Sequence, residues 1–385
     1  MRHLTLKESI FTFALIFSFI FFVFNGSACA GGPVSLPKTM LWSCYDVGST
    51  GYVQASAIAD AFVKTWGTRI RLLPSGTSIG RLTPVITRKV GAGFLANEVF
   101  FAVEGIYDFA AVHWGPQDLR IVLGHPATVG LTTPKVAGIR TLKDLKGKRV
   151  AYVPGADTLN VKMDAFLAFA DLTWDDVQKV EFAGYSASLK GLIEGKVDAA
   201  VSSTGPPLIY QLASSPKGCY FPPFPHDDNE AWKRIQKTCP FFRRSLEVVG
   251  PGITKDNPIE RPGYMYPIIT VLADADFDWV YNFVKALDET YPMYKKAHAI
   301  MPPWAIEGAG IPPADAPFHD GAIKYLKEKG VWKAKHTAWN NDRLEHLRKV
   351  KRAWDKAREV AEAKKMKSKV WPQFWLKERA KALAD

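Results

Sequence analysis

The stretch 71-RLLPSGTSIGRL-82 passes from an apolar segment through Gly76-Thr77-Ser78-Ile79-Gly80 into a sequence of helical pattern. Gly-x-Ser-x-Gly between a strand and a helix is the nucleophile elbow of α/β-hydrolases. Ser78 is therefore either a nucleophile or part of a loop that holds something. A nucleophile needs a histidine base, an orienting acid and an oxyanion hole. Here the elbow follows only the second strand and no HGGG-like stretch precedes it. His298 and His319 are the candidate bases. A phosphate loop fails as well, because no Gly-Lys-Ser/Thr ending follows. The second reading needs no bond breaking. Small residues let the backbone approach a ligand, and hydroxyls donate and accept. The first turn of a helix adds unpaired N–H groups and a positive dipole end, which suit an anion.

That arrangement recurs. GSTGY at 48–52, SGTS at 75–78, PGADTLN at 154–160 and SSTGPP at 202–207 each follow a predicted strand and open a helix. From Lys38 the chain alternates short apolar runs with amphipathic stretches, and the cycle restarts near Pro134. This order predicts an α/β fold of two lobes, each a mostly parallel sheet flanked by helices. The strand and long helix in 265–291 return to the first lobe. In open parallel sheets such loops converge on one crevice. Two from each lobe place the crevice between the lobes.

The chain has 385 residues, 47% hydrophobic and 23% charged, with a net charge of +12 and a pI near 9.3. Arg2 and Lys7, the apolar run from Ile10 to Phe24, and Ser27-Ala28-Cys29-Ala30 read as a cleaved secretory signal over residues 1–30. Lipidation at Cys29 and an uncleaved anchor are the alternatives. A chain exported this way has no use for its basic charge on nucleic acid. Much of that charge lies after Asn341, a basic extension (341–385) with Leu344, Leu347, Val350, Trp354, Ala357 and Ala361 at helical spacing. Trp371, Phe374 and Trp375 form an apolar patch that either packs on the first lobe or docks a partner. Cys219 and Cys239 are candidates to pair in an oxidising compartment, leaving Cys44 buried. No Cys-x-x-Cys or His/Cys cluster points to a metal, and no cofactor is implied.

From about Lys38 to Trp332 the sequence resembles the TAXI family of solute-binding subunits of TRAP transporters. The matching motifs are Gly48-Ser49-Thr50-Gly51-Tyr52, Ser75-Gly76-Thr77-Ser78, Asp144-Leu145-Lys146-Gly147-Lys148-Arg149-Val150, Pro154-Gly155-Ala156-Asp157-Thr158, Asp198-Ala199-Ala200 and Pro317-Phe318-His319-Asp320-Gly321-Ala322. The resemblance implies a type II periplasmic-binding-protein fold in the periplasm. It also implies delivery of a small organic acid or amino acid to the membrane permease subunits of a TRAP transporter. The lobes are then 31–132 with 252–340, and 133–251.

Two departures bear on the solute. Arg81 stands where the family often has Asn, and Asn97 where an Asp is frequent; both make the pocket more positive. Arg81 is thus a candidate charge partner for an anion. Asp157 either caps its helix or meets an amine on the solute. Tyr52, Phe94, Trp114 and Tyr185 are candidates to pack its apolar part, and His319 to fix a loop. The expected ligand residues are Ser49, Thr50, Gly51, Tyr52, Ser75, Gly76, Thr77, Ser78, Arg81, Asn97, Gly155, Asp157, Thr158, Tyr185, Ser203, Thr204 and Gly205. The chain reads as a receptor and not an enzyme. A receptor for an ATP-driven importer or a membrane sensor is the alternative, and a serine hydrolase using Ser78 the remote one.

Overall fold

The computed structural model describes residues 33–384, so the signal-peptide reading and Cys29 lie outside the described residues. The first half of the chain forms β1 (Thr39–Tyr45), α1 (Thr50–Trp66), β2 (Arg69–Ser75), α2 (Ser78–Ile86), β3 (Ala92–Leu95), α3 (Glu98–Glu104), β4 (Leu119–Thr128) and β5 (Gly130–Pro134). Then follow β6 (Arg149–Tyr152), α4 (Asp157–Phe169), β7 (Gln178–Glu181), α5 (Tyr185–Glu194), β8 (Ala200–Ser202), α6 (Pro207–Ser214), β9 (Cys219–Tyr220) and α7 (Asn229–Thr238). The last part holds β10 (Arg243–Glu247), β11 (Ile259–Leu272), α8 (Phe277–Tyr294), α9 (Ile306–Ala309), α10 (Asp320–Glu328), α11 (Ala334–Ala363) and α12 (Trp371–Ala384).

In the large sheet β1 pairs in parallel with β2 and β3, and the returning β11 lies antiparallel between β3 and β4. In the second lobe β6 and β7 run parallel, while β5 is antiparallel to β8 and β9. The chain crosses between lobes at Thr128–Gly130, where β4 gives way to β5, and again around β10 and β11. β10 lies within the 133–251 stretch read as the second lobe, yet it pairs with β11 of the large sheet. The result is a two-lobed α/β architecture, with the crossing strands supplying the antiparallel pairs.

Local signals explain the elements that face the cleft. The Ser49 hydroxyl accepts from the Tyr52 N–H and starts α1; Gly67, in the left-handed region, ends it. Thr77 does the same for α2 through the Gly80 N–H. Such caps contribute about 1 kcal/mol each. Beneath them Trp42 of β1 stacks on Phe94 and meets Phe62 and Phe283, which ties β1 to β3, α1 and α8. Burying rings of this size supplies much of the core's hydrophobic stabilisation.

Cys44, Cys219 and Cys239 are all free and buried. The Cys219–Cys239 pairing does not form. Cys219 sits on β9 in the second lobe's own core, whereas Cys239 ends α7 against α4 in the main core. Among the described residues no helix is long and apolar enough to cross a membrane.

Candidate functional site

The four loops meet across the lobes, and they bond to each other. At the start of α2 the N–H groups of Ser78 and Ile79 donate to the Gly155 carbonyl at 3.0 and 3.3 Å. The Ser78 and Thr158 hydroxyls share a hydrogen bond of 2.9 Å, and the Thr158 N–H reaches Ser78 Oγ at 3.3 Å. At the start of α5 the Tyr185 N–H donates to the Gly76 carbonyl at 3.2 Å and the Ser186 N–H to Asp46 Oδ2 at 3.0 Å. Thr50 and Ser203 join through their hydroxyls at 2.9 Å. A Cβ on Gly76 would lie 3.1 Å from the Gly184 Cα and 3.0 Å from Asp46 Oδ2, so a side chain there would have to push its neighbours back. In this closed arrangement the N–H groups at the start of α2, expected to cradle an anion, are taken by the opposite lobe, as are those at the start of α5. Ser78 is fully buried, and its hydroxyl pairs with Thr158 rather than a histidine.

Behind this clasp a cavity lies between the lobes, with about 30 Å³ open to water-sized molecules. Its ionisable lining consists of Arg81, Lys162 and the tyrosines 45, 185, 264 and 266; it includes no Asp or Glu. Arg81 does not point to solvent. Its Nε donates to Glu98 Oε1 at 2.9 Å and its Nη1 to the Ser75 carbonyl at 3.3 Å. The guanidinium also lies 3.9 Å from the centre of the Tyr45 ring. Burial works against its charge, but Glu98 and the Tyr45 phenol outweigh it and raise its pKa.

Lys162, on α4, is the residue the sequence reading missed. It is 2% exposed, has no ion pair or hydrogen bond among the described residues, and lies 4.6 Å from the Tyr264 ring centre. Burial pulls its ammonium down to about 8, so it still carries charge at neutral pH. A sequence signal existed: a lysine on the inner face of a predicted helix, opposite Asp164 and flanked by Val161 and Met163. Arg261 lies behind Ser202, donating from Nη2 to that carbonyl at 2.9 Å, with Nε and Nη1 buried and unpartnered.

The expected ligand residues divide. Arg81, Thr158, Tyr185 and Ser203 line this cavity. Thr50, Ser203, Thr204 and Gly205 line a larger chamber beside it. Ser49, Gly51, Tyr52, Ser75, Gly76, Thr77, Ser78, Asn97, Gly155 and Asp157 line neither. Of these, Ser49 and Thr77 cap helices, and Asn97 donates from Nδ2 to Asp315 at 2.8 Å. Phe94 is core, stacked on Trp42. His319 caps α10 and bonds the Ala275 carbonyl at 3.1 Å, which fixes its loop.

Asp157 does not cap its own helix. Its Oδ2 accepts the Asp108 N–H of the first lobe at 2.7 Å. Burial, then the Asp108 carboxylate, push its carboxyl up to about 7; Asp164 adds to the rise. The folded protein therefore holds a proton there that the unfolded chain has lost, and stability falls as pH rises from about 4 to about 7. Asp157→Asn removes that proton site. The fall in melting temperature between pH 4.5 and 7.5 should be shallower in the variant. An unchanged slope would put the dependence elsewhere.

Residues 47–330 match the sequence model of the NMT1-like family. Several solved structures are similar at low identity. The alkanesulfonate-binding protein SsuA from Xanthomonas axonopodis pv. citri, bound to MOPS, is 16% identical, covering 76% of this chain and 85% of that one, with a TM-score of 0.43. The periplasmic aliphatic sulphonate binding protein SsuA from Escherichia coli is 14% identical over 80% and 84%, with a TM-score of 0.40. An ancestral arginine-binding protein bound to arginine is 16% identical over 69% and 98%, with a TM-score of 0.41.

Proposed function

The chain belongs to the NMT1-like family, and from that premise we propose that it is an extracytoplasmic receptor for a small organic anion, a carboxylate or an amino acid, held between the lobes. The supporting observation is Lys162, a buried ammonium with no anion of its own, in a cavity that also presents Arg81 and no carboxylate. A buried charge without a partner is costly, and a solute carboxylate supplies one. Lys162 belongs to the second lobe and Arg81 to the first, so one carboxylate meets both only when the lobes are closed. Solute binding then favours the closed form by that differential contact. The committed hydroxyl of Ser78 supports binding over hydrolysis.

The order of motifs from Gly48 to Ala322 supports delivery to a TRAP-type secondary transporter. Uptake into membrane vesicles should then follow an ion gradient and survive ATP depletion; uptake that needs ATP would favour an ATP-driven importer.

Lys162→Met, similar in volume, tests the site directly. Hydrogen bonds to charged groups contribute about 1.5–3 kcal/mol, so affinity for the bound acid should fall by about tenfold to a hundredfold, read by calorimetry. Unchanged affinity would place the anion elsewhere.

A further inference from the structure

Resting on that receptor reading, we infer that the solute is a monocarboxylic acid with an apolar, ring-sized body, its carboxylate at Lys162 and Arg81 and its body in the chamber next door. The cationic cavity, about 30 Å³, has room for a carboxylate and little else. Ser203 and Tyr266 line both this cavity and the neighbouring chamber, so the two adjoin. The Thr50–Ser203 hydrogen bond spans the same boundary, and both of those hydroxyls turn on one bond.

The chamber measures about 220 Å³ on the same scale. A dry cavity of about 150 Å³ holds a benzene ring. Its walls are largely apolar, from Pro126, Ala127, Leu246, Val248, Ile300 and Pro303. Its ionisable groups toward the interior are already engaged. Glu247 accepts the Thr128 hydroxyl and the Val248 and Val249 N–H groups. The His125 ring lies between the Tyr266 and Ile300 carbonyls at 3.0 and 2.8 Å. A second carboxylate would meet no free cation there except Arg243 at the rim, and an α-ammonium would meet no carboxylate in the cationic cavity. Charge at one end and apolar surface at the other describe an aryl- or branched-alkyl carboxylate.

The test is calorimetric titration of the mature protein with phenylacetate, succinate and glutamate. Phenylacetate should bind at least about tenfold more tightly than either of the others, a gap of one power of ten in Kd. Ala127→Phe, which fills the chamber, should weaken phenylacetate by a similar factor. Ala299→Trp at the exposed rim repeats the test where the interior change harms folding. Succinate or glutamate binding in preference to phenylacetate overturns this inference and leaves the receptor reading standing. Phenylacetate binding that both filled variants leave unchanged overturns the chamber assignment. Wild-type protein that binds none of the three acids overturns the inference and counts against the receptor reading itself.

Discussion

Glu104→Gln is expected to cost about 3 kcal/mol of stability and to loosen the C-terminal helices. Removing one member of a buried ion pair costs about 3–5 kcal/mol, because the other charge is left buried alone. Glu104 ends α3, is 1% exposed, and gathers two arginines and a histidine from the tail. Arg343 and Arg379 donate to its carboxylate, and His346 Nε2 lies 2.9 and 3.0 Å from its two oxygens. The arginine side chains keep 13% and 20% exposure, so water relieves part of the loss and the lower figure applies.

Around this hub Trp371 donates to the Ala110 carbonyl at 2.8 Å and Trp375 to the Gly105 carbonyl at 2.6 Å. Trp354 lies against Gly115, where a Cβ would come within 2.6 Å of the ring. The aromatic patch of the tail is thus spent on the first lobe. Burial alone would raise the Glu104 pKa, but His346, Arg343 and Arg379 outweigh it and hold it at about 2. Its contribution is complete above the ordinary glutamate range and is lost as pH falls toward 2. Urea unfolding of wild type and variant should therefore differ at pH 7 and converge below about pH 3. Trypsin should also cut the Lys364–Lys369 run faster in the variant. A stability loss under about 1 kcal/mol at pH 7 would show that the ion cluster contributes no more than a surface pair.

Arg81→Met is expected to cost about 3–5 kcal/mol for the same reason, with less relief from water. The side chains of Arg81 and Glu98 are 2% and 0% exposed, and Glu98 Oε2 is already without a partner. Loss of the guanidinium leaves Glu98 as a bare buried anion and removes the cation of the first lobe from the cavity. The two effects separate in a double variant. Arg81→Met with Glu98→Gln should recover at least half of the lost stability, since neither buried charge remains. Under the proposed function it should not recover affinity for the acid. The coupling in a double-mutant cycle measures the pair. Recovery of binding together with stability would make Arg81 a support for the fold rather than a partner of the solute. Arg81→Lys is no substitute control, because a lysine cannot reproduce the two-directional contact with Glu98 and Ser75.

Much of the cleft was readable in advance. The helix starts at Thr50, Ser78 and Tyr185 fall where Gly- and Ser-rich segments meet apolar runs, because caps and turns are local chemistry. The four helix-opening loops on which the crevice was placed come together in pairs, 48–52 with 202–207 through Thr50 and Ser203, and 75–78 with 154–160 through Ser78, Gly155 and Thr158. What they do there was not readable. Whether the Ser78 N–H holds a solute or the Gly155 carbonyl depends on how far the second lobe has closed, which no local pattern records. Asp157 and Asp108 are 49 residues apart and meet only through that closure.

Sequence alone determined the α/β alternation, the two-lobe order, the capped loops and the amphipathic tail, since each follows from residues within a few positions of one another. Tertiary structure alone decided that Arg81 is paired with Glu98, that Lys162 is a buried cation without an anion, that Cys219 and Cys239 stay apart, and that the tail closes on Glu104. Charge pairing and burial are set by which distant elements share a low-dielectric space, and the energy of an ion there depends on its neighbours far more than on its own position in the chain.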